Sequence, residues 1–263
     1  MDYTGPMLDF AVLVTGAALP AGILIAWFYR MDRARPEPVG LLGRSVLYGF
    51  LATVPAAALE FVVQLPARVM PGIMAAAWTA FATAALVEEG VKYFFLKRAL
   101  YRQAAFDEVL DGIVYAVCVS LGFAFAENLM YGMGGGWVLF VRAFTAVPMH
   151  AVATGIMGYW LGVSKFERDP ALATADRKRG FLYALAIHGL YDFLLFTRSA
   201  FSVLSIVVLV AGALHLSRLV KKAKAADDMV ATLKAGGTGP AEVEPPPDSR
   251  LDIPEPRFGD QSE

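Results

Sequence analysis

Three ionisable residues lie inside an apolar stretch of the chain, and they are the first candidates for chemistry. The stretch, residues 79–96, reads TAFATAALVEEGVKYFFL and contains Glu88, Glu89 and Lys92. A charge in the bilayer core costs roughly 2.5–3.5 kcal/mol on insertion scales, so such groups normally face a bundle interior or a wet cavity. On a helix Glu88 and Lys92 share one face, while Glu89 points about 100° away. We therefore expect Lys92 to bind one carboxylate and to leave the other available.

Three further apolar stretches contain polar residues at positions where apolar residues would cost less. They include FAFAEN at residues 123–128, PMH at residues 148–150 and HGLYD at residues 188–192. Taken singly, each polar group could be a structural residue that forms a hydrogen bond between helices. Together they favour one polar cavity that four helices share. The candidate site residues are Glu88, Glu89, Lys92, Glu127, Asn128, His150, His188 and Asp192.

The expected depths of these groups in the membrane do not agree completely. With a rise of about 1.5 Å per residue, Glu127 comes out nearer the outer surface than Glu88 or His188. A tilted helix, or a site that opens towards the outer side, would bring the three side chains together.

These residue types suit the activation of water for the hydrolysis of a peptide bond. No nucleophilic Ser or Cys accompanies the carboxylates, imidazoles, amide and lysine of the candidate site. A buried glutamate can act first as general base and then as general acid, and the sequence leaves open whether this is Glu88 or Glu89. His188 or His150 would then polarise the carbonyl group of the substrate.

A divalent metal such as zinc is an alternative that the same residues leave open. His150, His188 and a glutamate, which we take as Glu127, would give three ligands with an open fourth position. The HExxH spacing of common zinc proteases is absent from the sequence. No cofactor is therefore certain at this stage.

The composition indicates that these stretches cross a membrane. Of the 263 residues, 57% are hydrophobic and 18% are charged, and the mean hydropathy is +0.53. Soluble domains contain about 45–50% apolar and about 25% charged residues. The net charge of -1 gives no reason to expect binding to nucleic acid,. The single cysteine, Cys118, excludes an intrachain disulfide and is expected to be a small buried residue,.

The apolar runs predict an all-α, polytopic membrane bundle of about seven transmembrane helices. Lys and Arg are concentrated in alternate loops, which places the amino terminus outside and the carboxyl terminus in the cytoplasm. Residues 1–224 form the predicted membrane domain, and residues 225–263 form a predicted disordered cytoplasmic tail rich in Gly, Pro and acidic residues,. The predicted spans are residues 8–29, 41–65, 73–96, 112–131, 137–163, 181–196 and 200–219.

Two further sequence features predict structure around the fourth and fifth spans. Gly158 and Gly162 form a GxxxG motif, which is typical of a close contact between membrane helices,. The acidic residues before the fourth span suit the positive end of a helix, and Asp111 could also reach the cavity,.

The polar motifs carry a resemblance to a known family. EEGVK at residues 88–92 resembles an EExxK motif, residues 123–128 resemble FxxxEN, and residues 188–192 resemble HxxxD. With His150 before GIMGYWLG, and DEVLDGIVYA at residues 107–116, the chain resembles the PrsW family of intramembrane proteases. The likeness runs from about residue 87 to residue 192 with the motifs in order. That family is distantly related to the membrane endopeptidases that process prenylated CAAX proteins.

The resemblance implies a protease of the bacterial plasma (inner) membrane that cleaves single-span membrane proteins. Its implied role is the first cleavage of an anti-sigma factor, and its partners would be this substrate and the lipid bilayer. The family is described both as glutamic-type and as metallopeptidase, so the resemblance leaves the metal open. The residues carried over by motif position are Glu88, Glu89, Lys92, Glu127, Asn128, His150, His188 and Asp192.

Two alternatives from other classes remain at this stage. Ionisable residues in membrane helices also mark the ion paths of proton- or cation-coupled transporters. No pair of broken helices and no inverted repeat is visible in the sequence, which disfavours that interpretation. A membrane scaffold without enzymatic activity is disfavoured by the number of polar groups in the apolar stretches.

Overall fold

A computed structural model describes residues 4–31, 35–133 and 136–236, and within these ranges the chain is helical and contains no strand. The predicted all-α fold is confirmed. The α-helices are α1 (Thr4–Met31), α2 (Val39–Val63), α3 (Gly72–Ala77), α4 (Leu86–Phe95), α5 (Val109–Gly132), α6 (Gly136–Phe144), α7 (Ala146–Phe166), α8 (Pro170–Phe196) and α9 (Leu204–Lys234). A π-helical segment, Trp78–Ala85, joins α3 to α4, and a second one, Leu96–Leu100, extends α4.

These elements form a multi-pass membrane bundle. Five helical segments of the described ranges are long and apolar enough to cross a membrane: Phe10–Met31, Val39–Val69, Val109–Gly132, Gly136–Phe166 and Ala200–Lys234. The other two segments are residues 72–100 and α8, and each contains five charged residues. That all seven segments span the membrane, with the amino terminus outside, stays a prediction.

Helix α5 is the centre of the bundle. In its apolar window 94% of the residues are buried, against 11% for α1. Helices α2 and α7 pack along α5, and its sequence is apolar on every side, which is typical of a helix that neighbours enclose,. Large apolar side chains on the outer helices, such as Phe10, Val54 and Val210, point away from the core and suit contact with lipid.

Glycines allow α5 and α7 to approach each other closely. A Cβ atom built on Gly158 would lie 2.2 Å from the carbonyl oxygen of Gly112, and one on Gly162 would lie 2.5 Å from that of Val109. Neither position can therefore accept a side chain unless the backbone moves. The predicted close helix contact at Gly158 and Gly162 is confirmed.

The first turn of α5 is fixed by acidic side chains at the end of the bundle opposite the candidate site. Asp111 accepts hydrogen bonds from the backbone amides of Asp107 and Glu108 through Oδ2, at 2.9 and 2.7 Å. Asp227 of α9 accepts from the amides of Val109 and Leu110, at 2.9 and 3.0 Å. Asp111 therefore stabilises the start of the helix, as expected for a carboxylate there, and does not line the cavity that contains Glu88,.

The structure corrects several predicted boundaries. Helix α9 continues to Lys234, so the predicted start of the tail at residue 225 falls inside a helix, while residues 237–263 lie outside the described residues. The predicted span 137–163 is divided at Thr145, whose φ of -123° and ψ of -74° are not helical. Helix α8 begins at Pro170, well before residue 181, because Asp169 caps its first turn and proline suits that position,.

The close contact between α5 and α7 predicts that one added methyl group at Gly158 lowers the stability of the protein. Because the atom that a new Cβ at Gly158 would meet is backbone, we expect Gly158→Ala to lower the free energy of unfolding by about 1–3 kcal/mol. Gly43→Ala is the matched control, since a Cβ atom at Gly43 meets nothing within 4 Å. Unfolding of the two purified variants in detergent measures the difference. Equal stability would contradict the close packing of the two helices.

Candidate active site

Four helices bring the candidate residues to one end of the bundle. Glu88 and Glu89 lie in the first turn of α4, and His150 lies near the beginning of α7. Glu127 lies towards the end of α5, and His188 towards the end of α8. Since α7 begins close to the point where α5 and α8 end, these three helices meet there, and α4 contributes its glutamates from the side. Glu127 joins the cluster through His150, because Nε2 of His150 lies 2.7 Å from Oε2 of Glu127.

Lys92 lies at the centre of the cluster and has no exposed surface. Its Nζ atom lies 2.8 Å from Oε1 of Glu89, 3.2 Å from Oε2 of Glu88 and 3.1 Å from Nδ1 of His150. The ammonium also lies 4.2 Å from the ring centroid of Phe123. Lys92 therefore binds both carboxylates, whereas the sequence predicted that it would bind one and leave the other available.

Glu89 is completely enclosed, and its two oxygen atoms are both used by neighbouring side chains. Oε1 contacts Lys92 and also Nδ1 of His188, at 2.9 Å. Oε2 accepts a hydrogen bond from the hydroxyl group of Thr154, at 2.8 Å. Ser120 contacts the same hydroxyl group at 2.8 Å. Glu89 is therefore fixed by two other helices, α7 and α8, and does not line the cavity.

In each histidine, the ring nitrogen that points away from Glu88 contacts the carboxylate of another glutamate. Nε2 of His150 lies 2.7 Å from Oε2 of Glu127, and Nδ1 of His188 lies 2.9 Å from Oε1 of Glu89. The two rings are perpendicular, with centroids 5.2 Å apart. Such outer carboxylates fix the orientation and the tautomer of a functional imidazole.

Glu88 is the acidic residue on which both histidines converge. Its Oε2 atom lies 3.9 Å from Nδ1 of His150 and 3.9 Å from Nε2 of His188. Nε2 of His188 also lies 3.3 Å from Oδ2 of Asp192. Glu88 lines a cavity of about 990 Å³ together with both histidines, Glu127 and Asp192. The two adjacent glutamates therefore have different surroundings, which the sequence could not resolve.

The types and spacing of three of these residues fit a divalent metal ion. Glu88, His150 and His188 offer ligand atoms that all lie within 4.8 Å of one another. The carboxylate differs from the predicted Glu127, because Glu127 lies on the opposite nitrogen of His150. Lys92 contacts two of the three ligand atoms, so an ion that bound here would displace the ammonium from both.

Asn128 lies beside the cluster and is connected to it through Arg142, which is not one of the candidate residues. Arg142 of α6 donates from Nε to Oδ1 of Asn128 at 2.7 Å, and its Nη2 lies 2.7 Å from Oε2 of Glu127. In the described part of the chain, the Asn128 side chain contacts neither histidine. Arg142 could have been found as an arginine within the predicted fifth span. Thr154 gave no comparable signal, because threonine is common in membrane helices.

Comparisons with known proteins identify the family of this chain. A family model described as PrsW family intramembrane metalloprotease matches residues 37–215, a range that includes all eight candidate residues. The Protease PrsW of Bacillus subtilis (strain 168) is 36% identical over 191 residues, which cover 71% of this chain and 83% of that protein. The chain belongs to the PrsW family of intramembrane proteases. It is therefore a peptidase.

Other PrsW relatives have similar coverage. The Protease PrsW of Geobacillus kaustophilus (strain HTA426) is 36% identical over 194 residues, or 71% of this chain and 80% of the relative. That of Clostridioides difficile (strain 630) is 31% identical over 217 residues, or 78% of this chain and 89% of the relative. Comparison with solved structures found no significant match.

The different surroundings of the two glutamates predict different effects on stability. Glu89→Gln replaces a carboxylate that contacts Lys92, His188 and Thr154, so we expect the free energy of unfolding to fall by about 3 kcal/mol. Glu88→Gln removes one contact with Lys92 at a residue that lines a cavity, and we expect a loss of about 1 kcal/mol. Unfolding in detergent compares the variants directly. A larger loss for Glu88→Gln would contradict the structural role of Glu89.

Proposed function

We propose that this chain is an intramembrane endopeptidase that cleaves single-span membrane proteins with water activated by Glu88. The observation that carries the proposal is the position of Glu88 in the cavity, with its Oε2 atom 3.9 Å from a nitrogen of each histidine. Glu89 is a poorer candidate for the base, because His188, Lys92 and Thr154 already use its oxygen atoms.

In this mechanism Glu88 removes a proton from water, and the resulting hydroxide attacks the carbonyl carbon of the peptide bond. His188 faces a carboxylate on each ring nitrogen, so its Nε2 atom carries a proton and donates a hydrogen bond to the oxyanion that forms,. Glu88 then returns the proton to the leaving nitrogen, and the C–N bond breaks to give a carboxylic acid and an amine. Lys92 keeps Glu88 close to the histidines and balances its charge.

The outer carboxylates have a positioning role in this proposal. Glu127 fixes His150 and is itself bound by Arg142, while Glu89 fixes His188. Asp192 lies on the nitrogen of His188 that faces Glu88. A divalent ion such as zinc, if bound by Glu88, His150 and His188, would polarise the carbonyl group and make its bound water more acidic. In that case Glu88 would be a ligand and not the base.

The proposed location is the bacterial plasma membrane, with the amino terminus outside. Anti-sigma-factor-like proteins with one membrane span are the substrates that the family resemblance favours.

The transporter alternative has less support, because the ionisable network occupies one end of the bundle. Between that end and Asp111, residues 113–119 of α5 carry no charged group. A path for ions would need polar groups along the whole length of the helices.

Cleavage of a single-span reporter by the purified protein in detergent tests the proposal. We expect cleavage at a defined site, and a fall of at least about 100-fold in the Glu88→Gln variant, because the general base is removed. Glu167→Gln is the matched control, since Glu167 follows α7 at the other end of the bundle and contacts the backbone of Asp169. An intact reporter together with ion flux in liposomes would contradict the protease and support the transporter.

A chelator in the same assay decides the role of a metal. If a bound ion is needed, the chelator stops cleavage, zinc restores it, and metal analysis of the purified protein finds the ion. If cleavage continues in a protein shown to be free of metal, Glu88 acts as the base without an ion.

A further inference from the structure

One wall of the cavity carries polar side chains outside the cluster of Glu88, Lys92 and the histidines. Gln64 follows α2, and Thr79 and Thr83 lie in the π-helical segment Trp78–Ala85. All three line the cavity that also contains Glu88. Nε2 of Gln64 donates to the hydroxyl oxygen of Thr79 at 3.0 Å. We call Gln64, Thr79 and Thr83 the polar wall.

Two hydrogen bonds join the part of the polar wall at the end of α2 to the part on the π-helical segment. Beside the Gln64–Thr79 contact, Nε1 of Trp78 donates to the carbonyl oxygen of Val63 at 2.7 Å. These bonds align the end of α2 with the π-helical segment. π-helical turns are rare and are frequent at functional sites, where they change the direction of side chains.

Two atoms of the polar wall have unused capacity for hydrogen bonds. Oε1 of Gln64 and the hydroxyl group of Thr83 are buried and have no partner among the described residues. Thr83 is only 6% exposed. Two other threonines of the same cavity differ, since Thr53 and Thr145 donate to the carbonyl oxygens of Phe50 and Val141 at 2.6 and 2.8 Å. A buried polar atom without a partner is costly, so each one in a native structure calls for an explanation, such as a ligand that binds it.

A transmembrane substrate requires groups of this kind. In a helix the carbonyl oxygens are bonded to amides four residues later, so a helix must unwind locally before water can attack a peptide bond. Unwinding releases amide and carbonyl groups that have no water partners inside the membrane. A glutamine oxygen can accept from an amide, and a threonine hydroxyl can donate to a carbonyl group.

We infer that the polar wall binds the extended, unwound backbone of the substrate next to Glu88. This inference rests on the proposed endopeptidase function and assigns a substrate subsite to it. Gln64 accepts a hydrogen bond from a substrate amide, Thr83 donates to a substrate carbonyl group, and Thr79 orients Gln64. These contacts recognise backbone and not side chains, so they serve substrates of different sequence.

Binding of the single-span reporter to the intact protein in the Glu88→Gln background tests the inference without cleavage. Thr83→Val and Gln64→Met keep the size of each side chain and remove the atoms concerned. We expect each to weaken reporter binding by about 5-fold, the effect of one hydrogen bond. Thr53→Val is the matched control, because the Thr53 hydroxyl bonds within its own helix. In the protein with Glu88, the same variants should raise KM and leave kcat nearly unchanged.

Thermal unfolding separates this role from a structural one. Thr83→Val removes a buried hydroxyl group that has no partner, so the melting temperature should stay the same or rise. A lower melting temperature, or reporter binding equal to that of Thr53→Val, would overturn the inference. If the wild type cleaves the reporter and Thr83→Val leaves KM unchanged, the inference fails and the endopeptidase stands. If Thr83→Val weakens binding but the wild type cleaves nothing, the endopeptidase fails and backbone binding stands.

Discussion

Lys92 carries an ammonium group in the interior of the bundle, within 3.2 Å of oxygen atoms of both Glu88 and Glu89. An isolated charge at this depth is costly, and two adjacent carboxylates would repel each other. The ammonium lowers both the cost of burying charge and the repulsion between the carboxylates, because it contacts both of them. The adjacent glutamates can therefore remain together in an apolar helix. The rest of the site is arranged around this contact.

The two glutamates differ because other helices approach them differently. Thr154 of α7 and His188 of α8 occupy the oxygens of Glu89, which then orients His188. Glu88 faces the cavity, and Nδ1 of His150 and Nε2 of His188 point towards it. One carboxylate thus becomes part of the scaffold, and the other is left for chemistry. The same arrangement suits a metal ligand, which is why the types of residue alone do not decide between the two mechanisms.

Much of this was predictable from the sequence, and the remainder depends on how the helices pack. Polar residues in apolar runs are conspicuous, so Glu88, Lys92, His150 and His188 could be selected without a structure. The partner of Glu127 could not be predicted, because its contact with His150 depends on how α5 and α7 pack. The unpaired hydroxyl group of Thr83 could not be predicted either, because the partners of a side chain depend on the folded structure.

The ends of the helices were also only partly predictable from the sequence. Helix α8 begins well before its apolar part, because a capping aspartate and a proline start a helix in polar sequence,. Helix α9 continues past the basic residues that mark the predicted end of the last span, and Asp227 then caps α5. Hydropathy locates the part of a helix that lies in the membrane, but caps and tertiary contacts determine where the helix itself begins and ends.

The central claim is that the charge of Lys92 is balanced by the acidic residues beside it, above all by Glu89. A double-mutant cycle of Lys92→Met and Glu89→Gln, measured by unfolding in detergent, tests it most directly. If the two charges depend on each other, the double variant is more stable than the sum of the single losses by about 1–3 kcal/mol. Additive losses would show that the two side chains contribute independently, and this account of the site would then be wrong.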